Sequence, residues 1–423
     1  MSKVIVENIN KNKVDGNGKP KKANWRYRFQ IASVNGKRRY ESKTGFTTRK
    51  AAELAGNKAY AEYINAGEVF KPSELSVHDY MDLWFEKYCI PNTSYNSQVV
   101  HQQAIKKYVK PYLGKYQLSS LKPAVLQEFL NDMNQKGYAK TNIEMVKTMM
   151  SSALKYAVYP LEYIQSNPMQ YVKMPRITKE PKEKAILTEE QFEQVLQLFP
   201  EHNRHHIPIL LGVHCGLRTG EICGLTWDDI DFEKKTLTVN KQTIRMKLDE
   251  RGVCFAISKP KTRRSVRMMT ISNILLEALK REKAYQERCE EKLKEDYLVH
   301  TLIDTTDNTG KPITIIRSVT KELIGDAPRY NLVCVDAGGN HTSNDTVKYV
   351  ATVVKEQLNL PNFSFHSLRH THATMLVENN VNTKNLQHRM GHDNILTTLN
   401  TYVKNTRKMD QDSANVFDEL FNK

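Results

Sequence analysis

The stretch FSFHSLRHTHATML, residues 363–376, places three histidines and one arginine within seven positions. His366 and His370 are four residues apart, so on a helix both imidazoles lie on one face, at the spacing of zinc-protease ligands. Arg369 follows His366 by three residues and lies on the same face. A permanent guanidinium is a poor neighbour for a dication and a good one for a phosphate. The cluster therefore predicts a site for either a metal or a phosphate, and the rest of the chain must distinguish them.

The composition indicates a globular protein with an acidic polymer as its partner. The chain has 423 residues, too many for one ordinary domain, so two or three compact units are expected. The 63 Lys and Arg residues outnumber the 47 Asp and Glu residues, which gives a formal charge of +16. A content of 26% charged and 39% hydrophobic residues is typical of a folded chain. The excess positive charge favours binding to a polyanion.

The lengths of the apolar segments and the spacing of the cysteines predict the cell compartment of the protein. No segment approaches the ~18 apolar residues that a membrane span or a secretory signal requires. The six cysteines are scattered without a C-x-x-C pair, which argues against a zinc ribbon and fits unpaired thiols in a reducing environment. We therefore expect a cytoplasmic protein without membrane contact.

The first 70 residues form a basic segment, with 15 basic and 6 acidic side chains. WRYRFQI, residues 25–31, alternates apolar and polar positions, which predicts a strand with one apolar and one cationic face. Asn35-Gly36 predicts a hairpin turn, and the following residues predict a returning strand and a helix. We expect residues 1–70 to be a small DNA-binding domain, although a solvated hairpin remains the alternative. Its candidate DNA contacts are Arg26, Arg28, Lys37, Arg38 and Arg39.

Residues 74–178 contain four segments with apolar positions at helical spacing, which predicts an all-α four-helix domain. Five lysines would give this domain a cationic face for DNA, although a charged helix face is often only solvated. These lysines are Lys106, Lys107, Lys110, Lys140 and Lys147. PRITKEPKEKA, residues 175–185, is polar and contains two prolines, which indicates an interdomain linker.

The third predicted domain, residues 186–423, combines helices and strands. Thr188 and Gln191 predict a capping box at the start of its first helix. Helical segments come next, then the strand-like stretches TLTVNKQTIRM, VCFAIS and SVRMMTI, then helices again. We therefore expect an α+β domain. Within it, residues 281–331 form a long polar stretch, which serves either as a surface elaboration or as a contact to DNA or a neighbouring subunit.

Three further motifs carry basic or nucleophilic residues. GLRTGE places Arg218 just after a glycine turn, at the start of an amphipathic helix. ISKPKTRR places Lys259 and Lys261 in a tight connection between two strands. MGHDNILTTLNTYVKN places His392 at a helix start and Tyr402 ten residues later. Each motif alone is common at protein surfaces and identifies no function.

In order, GLRTGE, SKPKT, HSLRH, GHDN and NTYVKN resemble the full signature of the tyrosine recombinases, the integrase family of temperate phages and conjugative transposons. The resemblance extends over nearly the whole chain. It implies a multidomain fold: a small β-sheet-plus-helix N-terminal domain that binds arm sites, an all-α four-helix core-binding domain, and an α+β tyrosine-recombinase catalytic domain.

The resemblance also implies a reaction. Such an enzyme cleaves and rejoins DNA through a 3′-phosphotyrosyl intermediate, without a metal, a cofactor or ATP, to integrate and excise a mobile element. His366 and Arg369 then face a phosphate, whereas His370 and His372 have no motif role. Glu221 would support the site from behind Arg218. The implied catalytic residues are Arg218, Lys261, His366, Arg369, His392 and the nucleophile Tyr402.

The implied partners are double-stranded DNA attachment sites, a homotetramer on two duplexes, an excisionase and a host DNA-bending protein, all in the cytoplasm and nucleoid of a bacterial host. The C-terminal tail carries Val416, Phe417, Leu420 and Phe421 on one face of a short helix. That face would pack either on the next subunit or on its own domain.

Two other classes of protein compete with this interpretation. A regulator or architectural factor could keep the fold without the chemistry, but all six implied catalytic positions are filled. A metal-dependent nuclease or transposase would need clustered carboxylates. A zinc site at His366 and His370 would also need a third ligand and a catalytic carboxylate such as H-E-x-x-H supplies, and the motif contains neither.

Overall fold

The structure is a computed structural model that describes residues 4–16, 18–34, 37–64, 74–177, 184–249, 251–260 and 263–391, together with residues 411 and 415. The chain divides into two compact units, residues 1–178 and 179–423. Each unit has its own hydrophobic clusters.

The first unit begins with a three-stranded antiparallel sheet in the order β1-β2-β3. The strands are β1 (Ile5–Asn8), β2 (Trp25–Val34) and β3 (Lys37–Phe46), and helix α1 (Arg49–Ile64) follows them. Tyr27 and Phe29 are buried in a cluster with Val4, against which α1 packs Ala55, Ala59 and Tyr60. The apolar face predicted for residues 25–31 is therefore the covered face of the sheet. The predicted turn residues Asn35 and Gly36 lie outside the described residues.

The rest of the first unit is helical. Its helices are α2 (Val77–Trp84), α3 (Ile90–Asn92), α4 (Tyr95–Ala104), α5 (Lys110–Leu113), α6 (Pro123–Gln135) and α7 (Lys140–Val158). Two π-helical turns, Phe85–Cys89 and Ile105–Val109, join α2 to α3 and α4 to α5. With α2–α3 and α4–α5 each counted as one continuous helical segment, the described part of this region has the four helical segments that the apolar spacing predicts. Trp84, Leu130 and Met150 are among the residues of its buried core.

In its described residues, the second unit combines helices with two antiparallel sheets. Its helices are α8 (Glu189–Leu198), α9 (His206–Cys215), α10 (Thr219–Cys223), α11 (Asn273–Leu293), α12 (Lys321–Ile324), α13 (Asn344–Gln357), α14 (Phe365–Glu378) and α15 (Thr383–Met390). Its strands are β4 (Ile230–Asp231), β5 (Thr236–Val239), β6 (Gln242–Leu248), β7 (Gly252–Ser258), β8 (Arg267–Thr270), β9 (Leu298–Thr306) and β10 (Pro312–Thr320). The sheet orders are β4-β5-β8 and β6-β7-β10-β9.

Helix α9 is central to the second unit because its sequence, HIPILLGVHC, is apolar on nearly every side. Gly212 lets α14 approach closely, since a Cβ atom at this position would lie 3.0 Å from Leu368 Cβ. Thr188 and Gln191 form the predicted capping box at the start of α8.

The strand-like stretch TLTVNKQTIRM is not one strand. It divides between β5 and β6, which belong to different sheets. The long polar stretch 281–331 supplies the end of α11 and strands β9 and β10, and β10 pairs with β7. Ile315, Ile316 and Val319 of β10 are buried, so the stretch is an integral part of a sheet.

Among the described residues, we find no helix with the length and apolarity needed to cross a bilayer.

Candidate active site

Arg218 lies at the N-terminus of α10, as its place after a glycine turn predicts. Its backbone N–H donates to Glu221 Oε2 at 2.9 Å, and its Nη1 donates to Glu221 Oε1 at 2.9 Å. Glu221 is 3% exposed, whereas about a third of the Arg218 side chain is open to solvent. One carboxylate therefore fixes both the backbone and the side chain of Arg218 and leaves part of the guanidinium available to a ligand.

The glycine turn before Arg218 is made by Gly216, which ends α9 with a left-handed φ of 63°. A Cβ atom here would lie 2.6 Å from His372 Cδ2 and 3.1 Å from Met390 Sδ. Only glycine adopts this left-handed φ without strain and also lacks the Cβ atom for which there is no space. The Gly216 carbonyl oxygen accepts a hydrogen bond from Arg369 Nη1. The turn thus links the chain segment before Arg218 to the second predicted catalytic arginine.

Arg369 lies on α14 and is 1% exposed. Its Nη2 donates to the carbonyl oxygen of Met390, the last residue of α15. The next carbonyl, that of Gly391, accepts from Arg218 Nη2 at 3.3 Å. The carboxyl end of a helix carries partial negative charge, which suits two guanidiniums. The structure therefore brings both predicted catalytic arginines to adjacent carbonyls at the end of α15.

His366 lies one helical turn before Arg369 on α14. Its ring is perpendicular to that of His370, with 4.8 Å between the ring centroids. His366 is partly exposed, but desolvation by the surrounding residues lowers its pKa to about 4, and the nearby charges of Arg369, Lys184 and Arg218 contribute to that lowering. His366 is therefore a neutral imidazole at pH 7, able to accept a proton.

Three of the six predicted catalytic residues, Lys261, His392 and Tyr402, lie outside the described residues, as do the tail residues Val416, Phe417, Leu420 and Phe421. The flanking positions are described. Lys259 is exposed just after β7, and Gly391 ends α15 with a left-handed φ of 59°.

Glu221 also binds a third arginine, which the sequence motifs do not identify. Arg267 on β8 donates from Nη1 to Glu221 Oε1 at 3.1 Å and from Nη2 to Oε2 at 2.9 Å. Burial alone would raise the pKa of Glu221. The hydrogen bonds and charge of Arg267, with the charge and backbone N–H of Arg218, outweigh burial and hold that pKa at about 2. Glu221 is therefore an anion at neutral pH.

The sequence does contain a signal for Arg267. It is the one charged residue within VRMMTI, residues 266–271, and a buried arginine requires an anionic partner. In the structure Arg267 and Met269 point inward, whereas Val266 and Met268 are exposed. The strand thus turns its arginine into the core, and the partner, Glu221, is distant in the sequence.

His372, which has no role in the motif, packs inside the fold. Its Nδ1 donates to the Val213 carbonyl oxygen at 2.6 Å, and its ring fills the space beside Gly216. Burial, followed by the charge of Arg389, lowers its pKa to about 3.

Helix α10 is held by contacts with the sheet and with residues 330–341. A Cβ at Gly220 would lie 2.9 Å from the Thr243 carbonyl oxygen, so the helix lies directly on β6. Beyond its C-terminus, the carbonyls of residues 223–225 each accept a hydrogen bond. The donors are His341 Nε2 to Cys223 at 2.9 Å, Tyr330 Oη to Gly224 at 3.3 Å and the Val333 N–H to Leu225 at 2.9 Å. These contacts fix the helix that presents Arg218.

The predicted DNA-contact lysines of the helical region have different environments. Lys106, Lys107 and Lys140 are exposed, and Lys147 is half-buried. Lys107 Nζ lies over the Tyr108 ring, 5.4 Å from its centroid. Lys110 donates to both carboxylate oxygens of Asp82 at 2.7 Å, so a phosphate would have to compete with an internal partner.

The predicted DNA-contact arginines of the N-terminal sheet share one acid. Arg26 Nε donates to Glu7 Oε1 at 3.0 Å, and Arg28 Nε lies 3.7 Å from the same oxygen. The hydrogen bond from Arg26 lowers the pKa of Glu7. The side chains of Lys37, Arg38 and Arg39 lie outside the described part of the chain.

Within the described ranges, no group of three or more His, Cys, Asp or Glu side chains is arranged to hold a metal ion.

Two family profiles match the chain. The phage integrase family matches residues 185–409, which is more than half of the 423 residues. The phage integrase N-terminal SAM-like domain matches residues 76–134. The first match includes all five motifs of the recombinase signature.

Similar proteins include a tyrosine recombinase XerC-like protein from Caldanaerobacter subterraneus, 26% identical, with 88% of this chain and 90% of that protein covered. The transposase from transposon Tn916 of Enterococcus faecalis is 25% identical, with 75% and 71% covered. The solved structure of the Tn1549 transposon integrase with transposon right-end DNA superposes with a TM-score of 0.61 at 23% identity, covering 82% of this chain and all of that one.

These similarities confirm the family, the fold class and the type of enzyme predicted from the five motifs. The chain belongs to the phage integrase family and is a tyrosine-type site-specific recombinase, an enzyme that cleaves and rejoins DNA to integrate and excise a mobile element.

Proposed function

We propose that the chain cleaves the attachment sites of its mobile element with Tyr402 as nucleophile and with Arg218 and Arg369 as the groups that neutralise the scissile phosphate. The observation that carries this proposal is the convergence of the two guanidiniums on the adjacent carbonyls of Met390 and Gly391. His392 follows these carbonyls directly, and Tyr402 lies ten residues further on.

The two arginines supply the electrostatic part of the reaction. Negative charge collects on the non-bridging oxygens as phosphorus becomes five-coordinate, and preorganised donors stabilise that charge. Arg369 is held by two carbonyls and Arg218 by Glu221, so neither side chain has to reorganise much during the reaction. His392 would donate a further hydrogen bond to a non-bridging oxygen.

The covalent step exchanges one phosphoester for another. The Tyr402 oxygen attacks phosphorus, the bond to the 5′-oxygen breaks, and a 3′-phosphotyrosyl bond forms. His366, neutral because of its lowered pKa, takes the tyrosine proton, and Lys261 gives a proton to the departing 5′-oxygen. The new ester keeps the energy of the broken one, so attack by a 5′-hydroxyl reverses the step without ATP.

Three functional regions follow from the chain's organisation. Residues 1–70 would bind arm sites, residues 74–178 would bind the core site beside the cleavage point, and residues 186–423 would catalyse the reaction. The exposed Lys106, Lys107 and Lys140 support a DNA contact for the second region. The Tn1549 integrase was solved with transposon-end and circular-intermediate DNA, which supports duplex attachment sites as the substrate.

The assembly and the cell compartment belong to the same proposal. Strand exchange between two duplexes requires four cleavages, which a homotetramer provides with one Tyr402 per subunit. An excisionase and a host DNA-bending protein would set the direction and the DNA path. The reaction would take place in the cytoplasm of a bacterial host, on its nucleoid.

Covalent trapping tests this function. Purified protein is incubated with sheared total DNA of the source organism and denatured in detergent, and the attached DNA is sequenced. We expect the fragments to share one attachment sequence, joined to protein at a 3′ end. A nicked duplex of that sequence should then trap the protein, because the short 5′-hydroxyl strand dissociates and cannot religate.

Two tyrosine variants supply the controls. Tyr402→Phe should bind the duplex with unchanged affinity and form no adduct, whereas Tyr349→Phe, at an exposed tyrosine of α13, should trap like the unaltered protein. Binding without any adduct in the unaltered protein would indicate a catalytically silent DNA-binding protein. Cleavage that stops in chelator would indicate a metal-dependent nuclease.

A further inference from the structure

Arg267 is a fully buried charge beside the proposed site. Its side chain is 0% exposed, and four hydrogen bonds hold it. Two go to Glu221, one goes from Nε to the Arg389 carbonyl oxygen at 2.7 Å, and one goes from Nη1 to the Ser265 carbonyl oxygen at 3.0 Å. A buried guanidinium has a high desolvation cost, so a hydrophobic residue would serve packing alone at least as well.

Glu221 lies between two arginines, and each of its carboxylate oxygens accepts a hydrogen bond from both residues. Oε1 accepts from Nη1 of both Arg218 and Arg267, and Oε2 accepts from the Arg218 backbone N–H and from Arg267 Nη2. The carboxylate that orients Arg218 would, by itself, cancel the charge of Arg218. Arg267 compensates that carboxylate, so the three side chains together retain one positive charge.

Arg267 also lies against the turn that leads to His392. Its Nε bonds the last turn of α15 at Arg389, and a Cβ at Gly391 would lie 3.0 Å from Arg267 Nη1. The carbonyls that hold Arg369 and Arg218 belong to the next two residues of this turn, Met390 and Gly391. One guanidinium therefore joins α10, β8 and the end of α15.

We propose that Arg267 is a positioning residue for cleavage: it offsets the charge of Glu221, so that Arg218 presents an undiminished positive charge to the scissile phosphate, and it aligns the turn before His392. This inference rests on the proposed function. Arg267 itself would not touch DNA, because none of its side chain reaches solvent.

The test varies the charge of the substrate. Cleavage rates are measured on two substrates. One is the nicked duplex used for covalent trapping, and the other is the same duplex with one non-bridging oxygen of the scissile phosphate replaced by a methyl group. The methylphosphonate is neutral, so its cleavage depends little on guanidinium charge. The readout is the ratio of the phosphodiester rate to the methylphosphonate rate.

We expect Arg267→Met to lower this ratio at least about tenfold, in the same direction as Arg218→Ala. Arg267→Lys keeps the charge but cannot make all four bonds, so it should cleave more slowly and keep a ratio nearer that of the unaltered protein. Arg281→Met, at an exposed arginine of α11 that pairs with Glu201, is the matched control and should change neither rate.

A ratio in Arg267→Met equal to that of the unaltered protein, with both rates reduced alike, would overturn the proposal and leave Arg267 a purely structural residue. If circular dichroism shows that Arg267→Met does not fold, the two cleavage rates are measured for Arg267→Gln instead. Glutamine is neutral but retains hydrogen-bonding groups. Failure of the proposed function is distinguishable, because the unaltered protein would then cleave neither duplex or Arg218→Ala would leave the ratio unchanged.

Discussion

Arg369 donates a hydrogen bond from Nη2 to the carbonyl oxygen of Met390, and the neighbouring Gly391 carbonyl accepts one from Arg218. The two arginines come from helices α14 and α10, and both are held by the end of α15. The segment that continues to His392 and Tyr402 is thus attached to the arginines that would hold the phosphate. A substitution at any of these contacts is expected to affect alignment as well as charge.

Replacing either arginine by alanine should slow cleavage to a similar extent, but the two substitutions should differ in their effect on the stability of the fold. Arg218→Ala and Arg369→Ala are each expected to slow cleavage by about 10²–10³-fold, the usual cost of losing one preorganised donor. Arg218 is partly exposed, whereas Arg369 is 1% exposed and satisfies two buried carbonyls. Only Arg369→Ala should lower the thermal unfolding midpoint appreciably. Cleavage within a few-fold of the unaltered rate would mean that the phosphate is held elsewhere.

Gly216→Ala should destabilise the second unit strongly. The substitution combines a left-handed φ of 63° with a contact of 2.6 Å to His372. We expect a loss of more than about 3 kcal/mol in unfolding free energy, since strain and overpacking add. Gly252→Ala is the matched control, because Gly252 has a φ of 69° but nothing within 4 Å of the added Cβ. It should lose only about 1 kcal/mol. Equal losses in urea denaturation would show that the fit against His372 is unimportant.

The ion pair between Glu221 and the two arginines predicts a pH-dependent contribution to stability. The folded pKa is about 2 against an ordinary value of 4.5, so the carboxylate stabilises the fold above pH 4.5 and loses its effect as the pH falls toward 2. The shift corresponds to roughly 3 kcal/mol at neutral pH.

Glu221→Gln isolates this contribution, because all other titrating groups are common to both proteins. The difference in unfolding free energy between the two proteins should be constant from pH 7 to about pH 5 and should shrink between pH 4.5 and pH 3. A difference that does not change over that range would mean that Glu221 is not held as a carboxylate.

The N-terminal sheet predicts a salt-dependence test. If the basic side chains of residues 1–70 contact phosphates, removing this segment should flatten the dependence of log affinity on log salt by about 0.9 per lost contact, on a long attachment-site fragment only. Cleavage of a short core duplex should persist. Full-length Glu7→Gln releases Arg26 from its acid and should steepen the slope. Identical slopes for all three proteins on the long fragment would show that the sheet is only a solvated surface.

The local features of the site could be predicted from the sequence because they depend on short spacings. His366 and Arg369 lie one turn apart on a helix, Arg218 follows a glycine turn, and Thr188 with Gln191 forms a capping box. Each depends on three or four consecutive positions. Family-level motifs then placed these separate segments in one site.

The pairing of Arg267 with Glu221 could not be predicted in this way, because it joins residues 46 positions apart and depends on which face of β8 turns inward. The same holds for β10, whose partner β7 lies far upstream in the sequence. The alternation of TLTVNKQTIRM also does not show its division into two strands. The chain passes from one sheet to the other between β5 and β6, where Lys241 donates a hydrogen bond to Asp229 at 2.7 Å.

If Tyr402 is the nucleophile, it carries a covalent bond to DNA in the trapped complex, and mass spectrometry can locate that bond. After nuclease and trypsin digestion, we expect the nucleotide mass on MGHDNILTTLNTYVK, residues 390–404, in which Tyr402 is the only tyrosine. Fragmentation should place the adduct on that residue, joined to the 3′ end of the cleaved strand. A nucleotide on any other peptide, or a bond to a 5′ end, would show that Tyr402 does not form a 3′-phosphotyrosyl intermediate.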